Sequence, residues 1–212
     1  MRAQYPALLD LSGRKILVVG GGRVAMRKVE GLLAGGGTPD LLAPELVTGL
    51  AGMATAFGLL HRAADFAEGD TAGYALVIAA TNDGAVNTRV ANEARENGAW
   101  VNVVDDPEAS NFTVPAALRQ SELLVAVSTG GASPMLAARL RERLGEIVTP
   151  ALGRVAARLH VVRDEVRERW PDDEQRRRTF WESLVTEEFL DCAIAGKDDE
   201  VESRIAACLS QS

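Results

Sequence analysis

Ile16, Leu17, Val18 and Val19 lead directly into Gly20-Gly21-Gly22-Arg23-Val24-Ala25, a match to G-x-G-x-x-A. A buried strand, a glycine loop and a helix start, in that order, make a pyrophosphate site. Gly20 permits the tight turn, and Gly22 lets the backbone approach a phosphate with no Cβ in the way. Ala25 is small enough for the helix to pack close to the strand. Arg23 and Val24 open the helix, whose free amides and positive dipole end face the phosphates. Gly20, Gly22, Arg23 and Val24 are therefore assigned to a dinucleotide cofactor. The acidic residue that holds the ribose is expected about 20 positions past the glycines. That falls at Leu42 to Glu45, where Glu45, after Pro44, is the acid, so both join the cofactor set. From Val29 to His61 there is no Lys or Arg to neutralise a 2′-phosphate, so NAD is expected over NADP.

Asp105 and Asp106 follow the strand-like run Trp100 to Val104. Open α/β sheets place their ligands beyond the C-terminal ends of the strands. A carboxylate there takes a proton from a reacting group or shapes the turn before Pro107; position alone leaves both readings open. Thr81 and Asn102 stand at the ends of neighbouring strands. Each either meets the nicotinamide or its ribose, or makes strand-end hydrogen bonds. Ser133 as N-cap and Pro134 at the first helical position make a helix start able to hold a carboxylate. Arg139, Arg141 and Arg143 follow on that helix, with Arg119 upstream. Odd positions diverge around a helix, so not all three face one ligand; Arg139 is the preferred one.

Short apolar runs alternating with amphipathic stretches position these residues, the pattern of βαβ units. Strands are expected at Ile16–Val19, Asp40–Ala43 with Pro39 at its start, Leu59–Leu60, Ala75–Ala80 and Trp100–Val104. Helices are expected at Val24–Ala34, Leu46–Phe57 and Asn87–Glu96. Five parallel strands with intervening helices give a Rossmann-type doubly wound sheet, over residues 1–113. One more strand, Leu123–Val127, and a helix from Met135 to about Leu144 lie in a segment 114–148. From Pro150 the chain reads as helical and highly charged, a small helical C-terminal domain over 149–212.

Of the 212 residues, 47% are apolar; 23 Lys and Arg stand against 30 Asp and Glu, a net charge of −7. That balance argues against nucleic-acid binding. Two cysteines, Cys192 and Cys208, without a CxxC pattern, and two distant histidines, His61 and His160, make no zinc-type cluster, so no metal is expected. Free thiols, no apolar run of about 20 residues and no cleavage signal lead to the expectation of a cytoplasmic chain without a membrane span.

GGGRVAMRK at Gly20 to Lys28, AATND at Ala79 to Asp83, NVVDDP at Asn102 to Pro107 and STGGASP at Ser128 to Pro134 resemble the siroheme synthase family. The likeness is closest to its precorrin-2 dehydrogenase module, and FWESL at Phe180 to Leu184 resembles that family's C-terminal helical motif. It covers nearly the whole chain in order; with no methyltransferase domain following, it implies the stand-alone form. The resemblance implies a Rossmann domain over 1–113, a dimerisation and substrate segment over 114–148, a helical C-terminal domain over 149–212 and an intertwined homodimer. It implies NAD-dependent oxidation of precorrin-2 to sirohydrochlorin, in siroheme biosynthesis, with iron insertion as an added activity in some members. Asp105 matches the family's catalytic aspartate, whereas Asp106 is read as structural. Precorrin-2 is a polycarboxylate, so Ser133 and Arg139 become substrate-binding candidates on a net acidic chain. Thr129 joins them, in a loop where family members often have Ser. A non-catalytic NAD-sensing module is the competing reading, but it needs neither a carboxylate after the fifth strand nor an anion-binding segment.

Overall fold

The structure is a computed structural model that describes residues 4–211. The chain divides after Val114 into two compact units.

The first unit is built on a parallel sheet of five strands. These are β1 (Ile16–Val19), β2 (Pro39–Leu42), β3 (His61–Arg62), β4 (Leu76–Ala79) and β5 (Trp100–Val103). They lie in the order β3-β2-β1-β4-β5, so the winding direction reverses between β1 and β4. Three helices cover the sheet: α1 (Arg23–Ala34), α2 (Thr48–Phe57) and α3 (Gly84–Glu96). The central strands are apolar throughout because both faces are covered. Leu17, Val19, Val77, Ala79, Val101 and Val103 pack with Val90, Ala91 and Ala94 of α3. Ile16, Val18, Leu41, Leu76 and Ile78 pack on the other face, with Ala25, Val29 and Leu32 of α1 and Leu50 of α2.

Several boundaries differ from the sequence reading. The third strand is His61–Arg62 rather than Leu59–Leu60, paired as Leu41↔His61 and Leu42↔Arg62. Gly58, left-handed at φ +63°, ends α2, and Leu59 is then buried in the core beneath it. Helix α3 begins at Gly84 instead of Asn87, because the Asp83 carboxylate accepts the Ala85 and Val86 amides and caps it. Pro39 does open β2, where its missing N–H does least harm.

In the second unit, β6 (Ala116–Gln120) and β7 (Leu123–Val127) form an antiparallel hairpin, turned at Ser121 with φ +51°. Sequence reading placed only the second of these strands; Ala-Ala-Leu-Arg-Gln carries no β-branched residue to mark the first. Helix α4 (Pro134–Leu144) packs on both strands. Four helices follow: α5 (Pro150–Arg169), α6 (Glu174–Leu184), α7 (Glu187–Ala195) and α8 (Asp198–Gln211). Side chains of Thr149, Asp173 and Thr186 cap the first three. Phe180 and Leu184, the apolar ends of FWESL, are fully buried against Val162, Val166, Trp170, Phe189 and Ile205. Among the described residues no helix is long and apolar enough to cross a membrane.

Candidate functional site: a dinucleotide cleft at the strand ends

The glycine loop lies where the sheet reverses direction, the switch point at which open α/β sheets hold ligands. Gly20 has φ +127°, and a Cβ on it would stand 2.4 Å from the Ala80 carbonyl oxygen, so this turn requires glycine. Gly22 differs: a Cβ there would meet nothing within 4 Å, so its open side faces the cleft. Gly22 is also the N-cap of α1, and no side chain caps that helix. The tightest position is the x of the fingerprint. A Cβ on Gly21 would lie 1.8 Å from the Glu45 carbonyl oxygen, and the Gly21 carbonyl accepts the Val47 amide at 2.8 Å. Gly21 therefore locks the loop after β2 onto the glycine loop.

Together these segments surround a cleft of about 660 Å³. Gly20 to Gly22, Ala43 to Val47, Ala64 to Phe66 and Ala80 to Asp83 line it, together with Val86 and Arg89. The uncapped helix start, the Cβ-free approach at Gly22 and the cleft beside them fit a dinucleotide pyrophosphate. Of the residues assigned to the cofactor, Gly20, Gly22, Pro44, Glu45 and Thr81 line the cleft. Arg23 and Val24 open α1 and contribute backbone rather than lining side chains. Asn102 does not line it.

Thr81 and Asn102 have their polar atoms engaged inside the protein. Asn87 is buried; its Oδ1 accepts the Thr81 amide at 3.1 Å and its Nδ2 donates to the Thr81 carbonyl at 3.0 Å. The Thr81 hydroxyl lies 2.8 Å from the same Oδ1 and accepts the Asp83 amide. Asn87 thus braces the loop after β4, a role with no motif to announce it. Asn102 is also buried. Its Nδ2 donates to the Phe112 carbonyl at 3.2 Å and its Oδ1 accepts Lys28 Nζ at 3.1 Å. Burial pushes the Lys28 ammonium below the usual lysine range; neighbouring Arg27 acts the same way and Asp105 opposes them. Lys28 was visible within GGGRVAMRK, but nothing local marked it as the tie between α1 and β5.

Asp105 lies just beyond β5, exposed, with φ +60°, a left-handed backbone that Asp and Asn tolerate best among residues with a side chain. The Asp106 carboxylate accepts the Ala109 amide at 2.9 Å, and its carbonyl accepts the Ser110 hydroxyl at 2.8 Å. Asp106 therefore shapes the turn. His61 Nε2 lies 2.9 Å from the Ala43 carbonyl oxygen, between β3 and the end of β2.

In the second unit, Thr129 and Ser133 come together. The Thr129 hydroxyl donates to the Ser133 carbonyl at 3.1 Å and accepts its amide at 3.0 Å. The Ser133 hydroxyl accepts the Leu136 amide and caps α4. Arg139 is exposed on α4 and pairs with Glu142 at 3.0 Å.

The chain matches three family models in succession. Residues 7–116 match the family described as "Putative NAD(P)-binding", residues 122–146 the sirohaem biosynthesis protein central region, and residues 151–209 the sirohaem synthase dimerisation region. The siroheme synthase of Chromobacterium violaceum is 41% identical over 207 residues, 96% of this chain and 44% of the relative. That of Nitrosomonas eutropha is 38% identical over 209 residues, 98% of this chain and 44% of the relative. The chain thus spans less than half the length of these curated relatives. A solved structure titled "SirC, precorrin-2 dehydrogenase" superposes with a TM-score of 0.78 at 26% identity, covering 96% of this chain and all of that one. The expected nicotinamide dinucleotide cofactor agrees with the NAD(P)-binding match and with the geometry of the glycine loop. The chain belongs to the NAD(P)-binding family, whose model matches its first half, and matches to the central and dimerisation regions of sirohaem synthases follow in order.

Proposed function

We propose that the chain oxidises precorrin-2 to sirohydrochlorin with NAD, as a homodimer in the cytoplasm. The observation that carries this reading is its correspondence, over the whole length of the neighbour, to a structure titled precorrin-2 dehydrogenase. The glycine loop supports it by supplying the cofactor half of the site.

The reaction removes a hydride and a proton from the macrocycle. When bound, the nicotinamide supplies the hydride acceptor. Asp105 takes the proton as a carboxylate and passes it to solvent, which its exposed place just past β5 allows. Asn102 and Lys28 act one step back, holding the strand end that presents Asp105. Gly20, Gly22 and the amides of Arg23 and Val24 receive the pyrophosphate. Pro44 and Glu45 take the ribose, and Thr81 borders the nicotinamide half. Glu45, Asp65 and Asp83 line the cleft against Arg89 alone, an environment that repels a 2′-phosphate and favours NAD over NADP. The α4 helix start at Thr129 and Ser133, with Arg139, receives carboxylates of the substrate. Residues 114–148 serve as the dimerisation and substrate segment and 149–212 as the helical C-terminal domain; the match of residues 151–209 to a sirohaem synthase dimerisation region supports a dimer contact that extends into that domain. Met135, Leu136, Leu140, Ile147, Val161 and Val185 are large apolar residues left exposed in that unit, as a surface that a second copy covers would be. Iron insertion is the less favoured second reading, because the neighbour's title names a dehydrogenase.

The test is turnover of precorrin-2 with NAD and with NADP in parallel, followed by sirohydrochlorin absorbance. The proposal expects product with NAD and markedly less with NADP; an NADP preference, or no product with either, overturns it.

A further inference from the structure

Arg89, on α3, lines the cleft and is the lone Lys or Arg among its lining residues. Its guanidinium carbon stands 5.5 Å above the centroid of the Phe66 ring, which also lines the cleft. Phe66 itself is anchored in the core beneath α3, with Val90, Ala91 and Ala94. Among the described residues Arg89 makes no ion pair; the ring is its partner. A guanidinium placed over one aromatic ring is a planar group that can also stack on the face of a base.

The strand order says which part of a dinucleotide meets this surface. Beside the glycine loop, β2 and β3 lie on one side and β4 and β5 on the other. The ribose of the adenosine half is held at the end of the second strand, and here Ala43 to Val47, which follow β2, share the cleft with Ala64 to Phe66, which follow β3. No residue of β5 lines it. The cleft, bordered on its β4 side by Ala80 to Asp83, is therefore assigned to the adenosine diphosphate half, with Phe66 and Arg89 at its adenosine end.

Resting on the cofactor reading above, we propose that Arg89, carried on Phe66, is the adenine-binding residue of this cleft, gripping the base by stacking rather than reading a phosphate by charge. Stacking asks for a plane, whereas phosphate recognition asks for a cation. The two demands separate in substitutions at an exposed position that the fold tolerates.

The experiment is calorimetry of the full chain with 5′-AMP, NAD, NADP and nicotinamide mononucleotide. Arg89→Ala is expected to weaken AMP and NAD by about tenfold, within the range of base-stacking contributions. It should leave nicotinamide mononucleotide and the NAD-to-NADP ratio unchanged. Arg89→Gln, planar but uncharged, should recover much of the loss, and Arg89→Lys, charged but not planar, should not. Recovery by Lys and not by Gln overturns the stacking role in favour of phosphate recognition. Unchanged AMP affinity in Arg89→Ala overturns it outright. If the unaltered protein binds AMP and Arg89→Ala does not differ, the inference fails while the cofactor reading stands. If the unaltered protein binds neither AMP nor NAD, the cofactor reading itself fails.

Discussion

The two ends of this sheet's C-terminal edge are built differently. At β1 the site is made of backbone: Gly20 forced to φ +127°, Gly21 pressed on the Glu45 carbonyl, Gly22 open to the cleft, and an uncapped helix start. At β4 and β5 it is made of side chains, and most of them are engaged internally, Thr81 with Asn87 and Asn102 with Lys28 and Phe112. Backbone sites have few solutions in residue type, so they leave a readable pattern. Side-chain sites draw on residues used equally well for bracing, so the same letters carry less information. Asp105 stands apart at the second end, exposed and in a left-handed conformation, the carboxylate left over once the bracing is complete.

The largest effect expected of this contrast is at Asp105. Asp105→Asn keeps a residue that tolerates the left-handed backbone and removes the proposed base. Turnover should fall by about 100- to 10,000-fold, with NAD affinity by calorimetry unchanged. Asp106→Ala loses the Ala109 cap and should lower stability more than chemistry. Equal loss of turnover in the two would erase the distinction between base and brace.

At the other end, Gly22→Asp should abolish NAD binding, since it puts a negative side chain where the proposal places the pyrophosphate, while the fold survives because the position is open. Gly21→Ala should damage both. Its Cβ would lie 1.8 Å from the Glu45 carbonyl oxygen, so the loop after β2 must move, at a cost of about 1–3 kcal/mol. Gly31→Ala, in the middle of α1 with nothing near its Cβ, should stabilise the chain by about 0.5–1 kcal/mol. Thermal unfolding of the three variants checks the order; a Gly21→Ala protein as stable as Gly31→Ala would remove the argument from close packing.

Bracing residues should show smaller effects. Asn87→Ala leaves the Thr81 amide and carbonyl without their partner and should cost about 2 kcal/mol. A shift of about 4–8 °C in Tm would follow, with weaker NAD binding as the loop after β4 loosens. No change in either would make Asn87 a bystander.

Lys28 gives the smallest effect, and a pH signature. Its ammonium is held below the ordinary 10.5 chiefly by burial. Above its folded pKa the native state has released a proton that the unfolded chain still holds, so stability rises with pH up to about 10.5. Below the folded pKa the desolvation penalty is present in full. Lys28→Met has no such group, so its stability relative to the unaltered protein should be highest near neutral pH and decline as pH approaches 10.5. Urea titrations across that range decide it; a difference that does not vary with pH would contradict the buried ammonium.

Much of this molecule was legible beforehand. The β1, glycine loop and α1 unit, the parallel order of the sheet and the break into a helical half follow from apolar runs and glycine placement. The third strand was offset by two residues, since Leu59 and Leu60 look more strand-like than His61 and Arg62, and Gly58 ends the helix in a way composition does not show. The first strand of the hairpin was missed for want of β-branched residues. Around the cleft, nothing in the sequence marks the contacts of Gly21, Lys28, Asn87 and Arg89. Gly21 acts through a neighbouring carbonyl, and the others act across 74 residues to Asn102, six back to Thr81 and onto a ring from a different loop. Such ties exist only after folding.

The central claim is that this chain couples oxidation of precorrin-2 to reduction of NAD. It is tested most directly by measuring, under anaerobic conditions, the NADH formed for each sirohydrochlorin formed. A ratio of one to one, with no product when NAD is withheld, is the predicted result. Sirohydrochlorin appearing without NADH, or no reaction from folded protein that binds NAD, would contradict it.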